Sequence, residues 1–142
     1  MKVLFNLGFI VTGSETDLVC PSSSNIKFIL SVLAKTMKTQ DHHDKNSGYW
    51  CCEILEGIAQ LASCSEQICV YLIQENFLEY ASTILTDGEK FSQEEKFYTL
   101  RTCWTLSFNA MCRHSIASKP GIVDGIGGNF VNIYLRFHLN FH

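Results

Sequence analysis

Between Asn25 and Lys38 the apolar residues fall at Ile26, Ile29, Leu30, Leu33 and Met37, with Lys27, Ser31, Lys35 and Lys38 elsewhere on the wheel. That spacing predicts an amphipathic helix. Ser22, Ser23 and Ser24 offer capping oxygens at its start, and Pro21 precedes them as a breaker. Phe77, Leu78, Ala81, Ile84 and Leu85 repeat the pattern, and Thr86, Asp87 and Gly88 end it with a glycine suited to a left-handed cap. Two longer segments are apolar on more than one side. From Tyr49 to Ala62, Trp50, Ile54, Ile58 and Leu61 share a face that Cys51, Leu55 and Ala62 widen, leaving Glu53, Glu56 and Gln60 as a narrow polar stripe. From Ser92, whose capping-box partner is Glu95, Phe97, Leu100, Trp104 and Phe108 line one side while Cys103 and Leu106 load another. Trp104 and Phe108 are accordingly expected in the core, where one large apolar side chain stabilises by about 1.5–3 kcal/mol.

These helices recur. Ser47, Leu61, Leu72 and Leu78 correspond to Ser92, Leu106, Ile116 and Ile122 at an offset of 44 to 45 residues. A more degenerate copy at the N-terminus keeps the spacing of Leu61 and Leu72 at Leu7 and Leu18, and continues into the helix near Ile26. A single helix pair of this kind leaves an apolar side uncovered, and stacking copies side by side covers it. The expected fold is all-α.

The last copy carries a resemblance. Trp104, Thr105, Leu106 and Ser107, followed by Arg113, Ile116, Gly121 and Ile122, are similar to the end of one armadillo repeat and the start of the next, and Leu4, Phe5, Asn6 and Leu7 resemble the family's leucine-tryptophan-asparagine-leucine run. The likeness covers about residues 1–126, and HEAT repeats are near neighbours. It implies a right-handed α-solenoid of about three armadillo-like repeats whose third helices line a concave groove, with Ser47 to Ala62 and Ser92 to Asn109 each spanning a second and a third helix. It also implies a partner-binding face built from Glu53, Glu56, Gln60, Tyr98, Arg101 and Thr105. Family members that read basic nuclear signals pair a groove tryptophan with an asparagine four residues later. Here the residue four after Trp104 is Phe108, with Asn109 one position late, so that mode of reading is not expected.

Composition narrows the partner. The chain has 142 residues, 46% hydrophobic and 18% charged, with a formal charge of −3, and its lysines and arginines form no run, so neither nucleic acid nor an anionic membrane is an expected partner. Seven cysteines, odd in number and without a C-x-x-C pair, fit buried reduced thiols better than a disulfide framework or a zinc knuckle, which favours the cytoplasm. The start, Met1 to Val11, imitates a secretory signal, yet Asn6 and Gly8 interrupt its short apolar run.

Three clusters invite chemistry. Cys112, Arg113 and His114 suggest a thiol nucleophile, but neighbours in sequence point in different directions on a helix, so the stretch reads as a helix end, a connection and a new helix whose first turn accepts Pro120. Asp41, His42, His43 and Asp44 are potential metal ligands, but contiguous ligands rarely converge and the flanking residues look like a solvated linker. No catalytic residue, cofactor or metal is expected. The alternation from Val131 to His142 has the period of a strand, which marks residues 127–142 as an atypical tail. The expected role is a non-enzymatic scaffold holding another protein or an extended peptide. Alternatives are a regulatory segment of a larger signalling protein and a thiol-dependent enzyme.

Overall fold

The computed structural model describes residues 22–127. Leu4 to Leu7 and Leu18 of the degenerate first copy, and the alternating tail, lie outside the described residues. What is described is mostly helical, as expected. Helix α1 (Ser23–Lys38) starts at Ser22, whose side chain accepts the Asn25 N–H, and buries Ile26, Ile29, Leu30, Val32 and Leu33. A two-rung antiparallel hairpin follows: β1 (His43–Asp44) pairs with β2 (Tyr49–Trp50), His43 opposite Trp50 and Asp44 opposite Tyr49. The Asp44 carboxylate accepts the N–H groups of Asn46 and Ser47 inside the turn, and Gly48 supplies the positive φ of +80° that closes it.

Then come α2 (Cys51–Cys64), α3 (Glu66–Gln74), α4 (Phe77–Thr86), α5 (Gln93–Leu106) and α6 (Ala110–Ser118). Helical residues 120–127 begin at Pro120, where a missing N–H costs nothing. The expected caps are present: Ser92 and Glu95 form a reciprocal capping box on α5, and Gly88, just past α4, has φ +50°. Ser47 to Ala62 and Ser92 to Asn109 each contain one helix, not two, because Tyr49 and Trp50 go to the hairpin and Ser107 to Asn109 form a turn.

Burial recurs at a fixed step in part of the chain. At an offset of 44 residues, Leu55 and Thr99, Ile58 and Thr102, Ala59 and Cys103, Ala62 and Leu106, Ile68 and Cys112, Leu72 and Ile116, and Leu78 and Ile122 are buried in both copies. Ser65 and Asn109, in the same register, each cap the following helix through the side chain. Leu106 therefore matches Ala62. Leu61 is only half-buried, so its pairing with Leu106 was one residue out of register. Helix α5 packs along α2, and α6 against α3.

Trp104 and Phe108 are not in the core. They are 62% and 67% exposed, and Trp50 is 46% exposed. The interior side of α5 is built instead from Thr99, Thr102, Cys103 and Leu106. Two threonines serve there because their hydroxyls donate to carbonyls one turn back, Thr99 to Glu95 at 2.8 Å and Thr102 to Tyr98 at 2.9 Å, which leaves a methyl group for packing.

Helical residues 120–127 approach α4 closely through their glycines. A β-carbon at Gly125 would lie 2.5 Å from the β-carbon of Leu85, whereas one at Gly121 would first meet the rotatable hydroxyl of Ser82. Gly125→Ala should lower stability by about 1–3 kcal/mol through forced separation of the helices. Gly121→Ala should cost less, as the better helix propensity of alanine offsets the crowding. Comparing the two thermal midpoints tests the close approach.

Candidate functional site

Helices α2 and α5 lie side by side, and their outward residues form the face to which the sequence assigned partner binding. Glu56 and Tyr98 are brought together there. Burial first, then the charge and hydrogen bond of Glu56, push the Tyr98 phenol up to about 12, so at neutral pH it is a hydrogen-bond donor to that carboxylate. One turn earlier the Cys52 thiol donates to Glu94 Oε2 at 3.4 Å.

The other expected residues are less committed to a ligand. Glu53 Oε1 accepts the Trp50 N–H at 3.1 Å, so this carboxylate serves the start of α2. The Thr105 hydroxyl donates to the Arg101 carbonyl at 3.0 Å. Gln60 is half-buried and Arg101 is exposed.

What the sequence reading missed is aromatic. The Trp104 and Phe108 rings meet edge to face with centroids 4.8 Å apart, and Met111 beside them in sequence is 61% exposed. A cleft of about 280 Å³ next to this pair is lined by Ser63, Cys64, Thr105, Phe108 and Asn109 among others. Large apolar side chains grouped on a surface mark a contact area more often than singly scattered ones do. The signal that could have revealed it is Asn109, whose Oδ1 accepts the N–H groups of Met111 and Cys112. An N-cap at that position ends the preceding helix before Phe108, which removes Phe108 from the helical register that placed it inside.

The thiols point away from nucleophilic chemistry. Cys112 is fully buried, and burial, followed by the charge of Glu66, pushes its pKa up. Burial likewise raises Cys69 to about 11 and Cys52 and Cys103 to about 12, and it pushes Cys51 up as well. Arg113 and His114 are both exposed. With iodoacetamide at neutral pH, Cys64, exposed at the end of α2, should label first among the described cysteines, and Cys51, Cys69, Cys103 and Cys112 only on unfolding. Mass mapping checks this, and a native-state rate at Cys112 matching Cys64 would restore the reactive-thiol reading.

Asp41 and the flanking Gln40, Lys45, Asn46 and Ser47 are exposed, as a solvated loop would be, but His42, His43 and Asp44 are partly or fully buried. His42 Nδ1 lies 2.8 Å from Glu95 Oε2, and its ring stacks on Phe91 at 4.8 Å. The His43 ring stacks on Trp50 at 4.1 Å, and Asp44 is buried in the turn. A hydrogen bond from the Ser47 side chain, ahead of the opposing effect of burial, lowers the Asp44 pKa. No family model, curated protein or solved structure matches the chain.

Proposed function

We propose that the chain is a non-enzymatic protein-interaction module, an armadillo-like right-handed solenoid that holds an extended segment of a partner protein across the outward face of α2 and α5. The observation that carries this reading is the exposed, edge-to-face Trp104 and Phe108 pair at the end of α5, the helix whose Tyr98 meets Glu56 of α2. The 44-residue recurrence of buried positions supports the solenoid. Aromatic side chains supply contact area at low conformational cost, and the neighbouring carboxylate and guanidinium select by charge.

The occupant that fits is a peptide with apolar side chains for Trp104 and Phe108, and a hydrogen-bond donor for Glu56. Partners captured from lysate and identified by mass spectrometry would then be measured by calorimetry. Glu56→Gln, which keeps an acceptor for Tyr98, combined with Arg101→Ala should weaken binding and leave the thermal midpoint in place. An unchanged affinity for a validated partner would rule this face out.

A further inference from the structure

A loop and two helix starts converge at one point. His42 comes from the connection after α1, Cys51 is the first residue of α2, and Glu95 sits in the first turn of α5. One donor atom from each lies within 4.8 Å of the other two. Cys51 and Glu95 are buried and His42 is half-buried.

Each donor is held in place. The Cys51 N–H donates to the His42 carbonyl at 2.8 Å, which ties the loop to the helix start. His42 adopts φ +57°, a left-handed conformation uncommon for a residue with a β-carbon, and Phe91 supports its ring. Glu95 Oε1 is occupied by the Ser92 N–H at 2.7 Å, which fixes the carboxylate and leaves Oε2 facing His42. A cleft of about 410 Å³ opens onto all three, and Asp41, Cys52 and Glu89 are among its other walls.

We propose that His42, Cys51 and Glu95 form a binding site for one divalent cation of the zinc class. A nitrogen, a sulfur and an oxygen donor suit a borderline cation and not magnesium or calcium, which take oxygen ligands. Thiolate and carboxylate together balance the charge of the ion. Bonds of about 2.0–2.1 Å from nitrogen and oxygen in a tetrahedral arrangement set those atoms about 3.3 Å apart. The His42 to Glu95 contact of 2.8 Å therefore opens by about half an ångström, within the reach of side-chain rotation.

On binding, the Cys51 thiol gives its proton to solvent and ligates as thiolate, and the imidazole that ligates through Nδ1 carries its hydrogen on Nε2. The cleft leaves the fourth position to water or to one of its wall residues. The ion clips the hairpin connection to the starts of α2 and α5. This site is independent of the partner face.

The test uses the 142-residue chain stripped with chelator, titrated with Zn²⁺ by calorimetry and with Co²⁺ by absorption. The expected result is one ion per chain, a thiolate-to-cobalt charge-transfer band, release of one proton and a raised thermal midpoint. Cys51→Ser should abolish the band. Glu95→Gln and His42→Asn should each weaken binding by about tenfold or more, and asparagine tolerates the left-handed backbone, so that variant carries the test should Cys51→Ser not fold. Cys64→Ser and His43→Gln should leave binding unchanged. Absence of stoichiometric uptake, or uptake that survives both Cys51→Ser and His42→Asn, would overturn the site and leave a hydrogen-bonded hub only.

Discussion

Leu106→Ala is expected to lower the unfolding free energy by about 2–5 kcal/mol, the range for truncating a fully buried leucine whose surroundings collapse only in part. Leu106 has no exposed surface and lies where α5 joins the core beside Cys103. The companion Leu61→Ala should cost about half as much or less, because Leu61 is only half-buried. Urea unfolding of the two variants measures both. Equal costs would reinstate Leu61 as the partner position and break the 44-residue register.

Trp104→Ala is expected to cost a bound partner about 2 kcal/mol or more, roughly a thirtyfold rise in Kd, without lowering the thermal midpoint. Two facts separate the effects. The indole is mostly exposed, so its removal leaves little or no cavity in the folded chain, and its edge-to-face partner Phe108 is more exposed still. Calorimetry against a validated partner, alongside thermal unfolding, gives both numbers. A Trp104→Ala chain that binds as tightly as the original would move the contact area elsewhere.

The helices were legible because their caps and their periodicity agreed. Ser22 and the Ser92 and Glu95 box marked starts, and Gly88 an end. The inside of α5 was not legible. Phe97, Leu100, Trp104 and Phe108 are the strongest apolar row in that segment, while Thr99 and Thr102 look polar until their hydroxyls are seen to bond within the helix. Period alone cannot tell a row that faces the core from one that ends exposed, as Trp104 and Phe108 do.

The site was half legible for the same reason. Glu56 and Tyr98 lie 42 positions apart in sequence and meet because α2 and α5 run alongside each other, as the repeat implied. The sequence marked His42 as a potential ligand and Glu95 as a cap, but gave no signal that the two meet Cys51. The three residues lie on three segments, and the histidine beside His42 drew attention to the wrong neighbours.

The stripe of Glu53, Glu56 and Gln60 on α2 becomes Phe97, Leu100 and Trp104 on α5 at the 44-residue step. Side by side, the two helices thus carry a polar stripe on one and a half-buried to exposed apolar row on the other. Under the proposed reading, a linear guest laid across them cannot be reversed without setting its charged end on indole and its greasy end on carboxylate, so a peptide and its mirror order should differ in affinity even at identical composition.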